Sequence, residues 1–166
     1  MSKRILLIRH AKSDSSNPQL DDHERPLNER GRRDAPFMAR KWLEKNSKPD
    51  VLVSSTALRA LNTAQYFAEG WKYPDHKILR NRELYLATPR TWLRWVRDLQ
   101  DSWHFVAAFG HNEGISEFAQ MLTGNENIGS MPTCAGALIS FNIESWKDVV
   151  PGLGILEAYE YPKKYL

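Results

Sequence analysis

Ile5-Leu6-Leu7-Ile8-Arg9-His10 is four apolar residues that end abruptly in a cation and an imidazole. An unbroken apolar run of this length is the pattern of a short strand buried on both faces, as in a parallel sheet covered by helices. Two later runs have the same character: Val51-Leu52-Val53, introduced by Pro49-Asp50, and Phe105-Val106-Ala107-Ala108-Phe109, ended by Gly110.

Helical patterns lie between these strands. Asn28 is placed to cap a helix that reaches about Asn46, and Pro36 inside it predicts a kink or a later start. Ser54, Ser55 and Thr56 can cap a second helix, in which Ala57, Leu61, Ala64 and Ala68 share a face and which Gly70 stops. A weak strand is expected near Lys77 to Arg80. Thr88-Pro89 is a strong helix start, a capping hydroxyl followed by proline, and Trp92, Trp95, Val96 and Leu99 form that helix's apolar face. Ile115, Phe118, Ala119 and Leu122 keep helical spacing up to Gly124. Two last strands are expected at Ala137 to Ile143 and Ile155 to Tyr161, with Pro151-Gly152 in the turn between them. Short buried strands alternating with helices predict a three-layer α/β/α sandwich. Its sheet is mainly parallel, and the short last connection lets the final strands pair antiparallel at an edge.

The 166 residues fit a single domain over 1–166. With 23 basic against 20 acidic residues, the net charge of +3 is too small to argue for nucleic acid. Cys134 is the only cysteine, so no internal disulfide can form. The apolar run at Ile5 is too short for a signal peptide or a membrane span. The expectation is a cytoplasmic protein with no membrane or nucleic-acid partner.

In an open α/β sheet, ligands bind beyond the carboxyl ends of the strands. Arg9 and His10 follow the first strand, Arg59 sits in the first helical turn after the second, and Gly110-His111-Asn112 follows the later one. The fold therefore brings two arginines and two histidines to one edge. Arginine forks suit phosphate oxygens. The helix start near Thr56 adds N–H groups and a positive dipole end. A histidine amid positive charge is held neutral and can attack phosphorus through one ring nitrogen. The remaining histidines, His23, His76 and His104, have no such placement and read as surface or core residues. No histidine pair has ligand spacing, and neither a phosphate-binding Gly-Lys-Ser/Thr loop nor a Gly-x-Ser-x-Gly elbow is present, so no metal or other cofactor is expected.

These residues resemble the histidine phosphatase superfamily, the phosphoglycerate mutase-like proteins. The signature Arg-His-Gly reads here Arg9-His10-Ala11, with alanine for glycine. The second motif corresponds to Ser54-Ser55-Thr56-Ala57-Leu58-Arg59-Ala60 with Thr63-Ala64, and the second histidine motif to Gly110-His111-Asn112. Arg25-Pro26-Leu27-Asn28-Glu29-Arg30-Gly31 is similar to the family's lead-in to its first helix. The resemblance runs from about Ile5 to Leu122. It implies His10 as the phosphorylated nucleophile and Arg9, Arg59 and His111 as the phosphate pocket and catalytic partners.

The short form with Arg-His-Ala-Lys-Ser and Arg-Pro-Leu-Asn is most similar to the SixA branch, the phosphohistidine phosphatases. Little chain is spare to enclose a small substrate, so an open site that admits a protein side chain is implied. Leu86 stands where mutase-like members carry their glutamate. Glu83, Asp14 and Asp22 are the candidate replacements as proton donor. A missing acid penalises an alkoxide leaving group far more than a protonated imidazole, which favours an N–P substrate on a phosphorylated protein. The alternatives are a small-molecule phosphomonoesterase or mutase using the same His10, and a non-catalytic module that docks a phosphorylated partner.

Overall fold

A computed structural model of the protein describes residues 2–166. Six strands form one sheet in the order β3-β2-β4-β1-β5-β6. They are β1 (Lys3–Arg9), β2 (Val51–Ser54), β3 (Leu79–Arg80), β4 (Phe105–Gly110), β5 (Gly136–Phe141) and β6 (Ile155–Glu160). The helices are α1 (Glu29–Lys45), α2 (Leu58–Gly70), α3 (Pro89–Arg97) and α4 (Gly114–Thr123). β3, β2, β4 and β1 run parallel, while β5 is antiparallel to both β1 and β6. The sheet is thus mainly parallel with an antiparallel edge.

The apolar run of β1 divides as a strand must, with alternate residues on opposite faces. Ile5 and Leu7 join Val51, Val53, Val106 and Ala108 under α3 and α4, against Trp92, Val96, Ile115, Phe118 and Leu122. Leu6 and Ile8 join Leu52, Ala107 and Phe109 under α1 and α2, against Met38, Trp42, Ala64 and Phe67. Trp92 is fully buried and stacks on Phe118, with ring centroids 5.7 Å apart.

Several local expectations change. α1 does not start late. It is capped by Asn28, whose side chain accepts from Gly31 N at 2.9 Å, and runs on through the proline. Burial of Ala35, Met38, Ala39 and Trp42 offsets the roughly 3 kcal/mol that an interior proline costs. Gly70 is the last residue of α2 rather than the stop beyond it. Its role is contact: a Cβ there would lie 3.1 Å from Ala39 Cβ, where α1 and α2 pack. None of Ser54, Ser55 and Thr56 is the N-cap of α2; that residue is Ala57, and Ser55 Oγ accepts from its N–H at 3.2 Å. β3 keeps only two residues of its expected span.

The lead-in to α1 is built against the segment after His10. Asn28 N donates to Lys12 O at 3.0 Å and Asp14 N to Pro26 O at 2.8 Å. A Cβ on Gly31 would fall 2.2 Å from Lys12 O. Glycine is required there because helix and loop backbones touch.

Candidate active site

The parallel register sets the site. Arg9 pairs with Gly110 and Ser54 with Phe109, so the three strands end at the same level. The ladder continues one step further, with His10 N donating to Gly110 O and Ser55 N to Phe109 O, both at 3.0 Å. His10, His111 and Ser55 therefore leave adjacent strands side by side.

His10 and His111 have ring centroids 5.3 Å apart and are 7% and 2% exposed. The Nδ1 of His10 lies 2.7 Å from Ala11 O. A carbonyl only accepts, so Nδ1 carries the ring proton and Nε2 keeps its lone pair. Burial first, and the charges of Arg59 and Arg9 after it, push His10 down to about 4 against the Ala11 hydrogen bond. Burial, then His10 and Arg59, push His111 down to about 3. Both rings are neutral at physiological pH.

Arg59, in the first turn of α2, is 6% exposed. Its Nη1 donates to Asp22 O at 2.6 Å and its Nη2 to Asp22 Oδ2 at 2.9 Å. Arg9 Nη1 donates to Met131 O at 2.9 Å, while its Nε is buried without a partner. Burial and neighbouring Arg59 both act against charge on Arg9. Thr63 Oγ1 donates to Arg59 O and accepts from Ala11 N, tying α2 to the turn after His10. Cys134 N donates to Arg9 O and His10 O, closing the other side.

All four expected residues converge. Of the three acidic candidates, Glu83 and Asp14 do not. Glu83 is exposed and pairs with Arg94 at 3.0 Å. Asp14 accepts from Ser16 N. Asp22 alone touches the cluster, and the hydrogen bond from Tyr85, with Arg59, holds its carboxyl below the usual range. Leu86 is 53% exposed. His23, read as a surface or core residue, is half-buried in a turn, with its Nε2 2.8 Å from Thr56 Oγ1 and its ring edge-on to Tyr85.

Sequence reasoning gave no site role to Tyr85, nor to Ser55 and Thr63, which it named only as motif positions. Ser55 Oγ lies 2.8 Å from His111 Nε2, and the buried Nδ1 of His111 has no partner. Tyr85 packs edge-on to His111 and donates to Asp22 Oδ2 at 2.5 Å. Thr63 was legible only as part of a motif. Among the described residues no group of three or more His, Cys, Asp or Glu is gathered as for a metal ion. Among these residues, too, no helix is long and apolar enough to cross a membrane.

Two arginines beside a desolvated, neutral imidazole suit a phosphatase that works through a histidine nucleophile. The chain belongs to the histidine phosphatase superfamily (branch 1), whose sequence profile matches residues 5–115. An uncharacterised Mycobacterium tuberculosis protein is 30% identical over 165 residues, covering 94% of this chain and 100% of its own. A crystal structure of a provisionally named phosphohistidine phosphatase SixA from Agrobacterium tumefaciens superposes with a TM-score of 0.82 at 25% identity, over 96% of this chain and 98% of that one. The protein histidine phosphatase SixA complexed with tungstate has the same fold, with a TM-score of 0.83 at 17% identity over 97% and 98% of the two chains. The branch is SixA-like.

Proposed function

We propose that this chain is a phosphohistidine phosphatase in which His10 Nε2 takes the phosphoryl group from a phosphorylated protein and water then releases it. The observation that carries this is the fixed tautomer of His10. Its proton is committed to Ala11 O, its other nitrogen is bare, and its charged form is suppressed. Such a nucleophile needs no base to activate it.

Arg9 and Arg59 bind the phosphoryl oxygens, with N–H groups beyond those already engaged. Ser55 accepts from Ala57 N–H and can donate its own proton to His111 Nε2. The ring proton of His111 then sits on the unpartnered Nδ1, free to donate to the transferring group. The work is positioning and electrostatics, as is general for phosphoryl transfer.

The leaving group decides between substrates. When a protonated phosphoimidazole reacts with His10, one N–P bond forms as another breaks. Each imidazole keeps the proton on its distal nitrogen throughout. No proton has to move, so no general acid is required. An alkyl phosphate would need one, and Glu83 is turned to Arg94. A cytoplasmic setting agrees with Cys134, a buried free thiol.

The test is intact-protein mass after brief exposure to a phosphohistidine peptide and acid-free quenching. A gain of one phosphoryl group, absent in His10→Ala, is expected. Turnover without any gain on either protein, under quenching that preserves phosphohistidine, rejects His10 as the nucleophile.

A further inference from the structure

Among the described residues, Asp22 is the one carboxylate paired with an arginine of the site. Its side chain is 46% exposed, whereas that of its partner Arg59 is 7% exposed. It therefore stands between the buried pocket and solvent. It touches Arg59 directly and reaches His111 through Tyr85, which donates to it and packs edge-on to that ring. Arg59, Tyr85 and, at longer range, Arg25 are the groups that face it. Both side-chain hydrogen bonds of this carboxylate fall on Oδ2, which leaves Oδ1 open.

In-line attack fixes where a leaving group must go. His10 and His111 are buried, so the group displaced by His10 departs toward solvent, the side to which half-exposed Asp22 opens beside Arg59. A carboxylate at that position is unfavourable for any leaving group that develops negative charge. It favours one that arrives as a cation. Tyr85 does not relieve this, because its hydroxyl proton is already given to Asp22.

We infer that Asp22 is the specificity-determining residue of this site, accepting a hydrogen bond from the distal N–H of a phosphoimidazole leaving group. The inference rests on the phosphohistidine reading above and deepens it. The two imidazoles of the transfer are then held alike, each by an oxygen on its distal N–H: Ala11 O for His10, and Asp22 Oδ1 for the substrate. His10 Nε2–P forms and the substrate N–P bond breaks. The substrate imidazole leaves neutral, with its distal proton still in place. The carboxylate stabilises the imidazolium form that reacts and repels phosphoesters whose leaving groups are anionic.

The experiment compares kcat/KM of the parent, Asp22→Asn and Tyr85→Phe on a phosphohistidine peptide and on p-nitrophenyl phosphate. Asparagine keeps the shape and an acceptor for Tyr85 while removing the charge. In Asp22→Asn, turnover of the phosphohistidine peptide is expected to fall by about tenfold or more, the scale of a charge-assisted hydrogen bond. Turnover of p-nitrophenyl phosphate is expected to hold or rise. Tyr85→Phe, which keeps the carboxylate, should preserve the parent's ratio between substrates. Equal loss on both substrates in Asp22→Asn overturns the inference, since Asp22 would then only hold Arg59 in place. So does an unchanged ratio in Asp22→Asn alongside a parent that prefers phosphohistidine, an outcome that leaves the phosphohistidine reading standing. A parent that hydrolyses p-nitrophenyl phosphate but not the phosphohistidine peptide overturns that reading, and the inference with it.

Discussion

β1 carries a cation at each end, one buried and one half-buried, and the two ends treat it differently. At its start, Lys3 is 1% exposed. Its ammonium donates to the carbonyls of Asp101 and Trp103, approaches His104 Nδ1, and lies 5.9 Å from the Trp146 ring centroid. The group has as many acceptors as it has protons. At the end of the same strand, Arg9 keeps a buried Nε without a partner, and His111, on the adjoining strand, keeps a buried Nδ1 without one. An unsatisfied buried polar atom costs about 1–3 kcal/mol. One end of the sheet has its polar groups satisfied and serves stability. The other leaves hydrogen-bonding capacity open, and an oxyanion is the ligand that would complete it.

The sharpest way to break this comparison is His10→Ala. It should lower turnover by about 10⁴-fold or more, the scale of losing a nucleophile, while the melting temperature stays near the parent's. Retained turnover in a folded variant would remove His10 from its proposed role. The converse change is Lys3→Met, which removes a buried ammonium and its hydrogen bonds to the Asp101 and Trp103 carbonyls. It should cost about 1–3 kcal/mol of stability, read as a lower melting temperature, and leave kcat/KM unchanged. A loss of kcat/KM at full folding would mean that the two ends are coupled.

pH separates the ends further. His10 is held down to about 4 in the folded protein, against about 6.5 in the unfolded chain. Between those values the unfolded chain binds more protons, so stability falls as pH drops through the window and is unaffected above it. His111, held down to about 3, acts in the same direction. Melting temperature followed across this range should decline more steeply in the parent than in His10→Ala. Activity should stay level down to about pH 5, since the neutral ring persists to its lowered pKa of about 4. An activity midpoint near about 6.5, the ordinary histidine value, would contradict the desolvated nucleophile. The smallest effect belongs to Glu83→Gln. Its carboxylate faces Arg94 in solvent, so phosphohistidine turnover should change by less than about twofold, consistent with an exposed pair worth about 0–1 kcal/mol.

The four residues of the candidate site were legible because each lies at or just beyond the end of a recognisable strand, and strand ends of a parallel sheet share one edge. Ser55 and Tyr85 were not. Ser55 reads as one more capping hydroxyl beside Ser54 and Thr56, and only the pairing of β2 with β4 brings it against His111. Tyr85 lies in a stretch without periodicity, 26 positions before His111, and reaches that ring through chain folding alone. Asp22 was one of three acidic candidates. Contact with Arg59 and Tyr85 separates it from Glu83 and Asp14.

By itself, then, the sequence determined which segments are strands and helices, since apolar runs, Asn28 and Thr88-Pro89 act through local physics. It also placed Arg9, His10, Arg59 and His111 at one edge. Tertiary structure decided what local signals cannot carry. α1 runs through Pro36 because packing offsets a lost hydrogen bond, and Gly70 is small because Ala39 faces it. The tautomer of His10 rests on Ala11 O, and the freedom of Asp22 Oδ1 rests on where Arg59 and Tyr85 happen to meet it. Propensity and periodicity act between neighbours in the chain. Burial and hydrogen bonding act between neighbours in space, and those neighbours exist only once the sheet has formed.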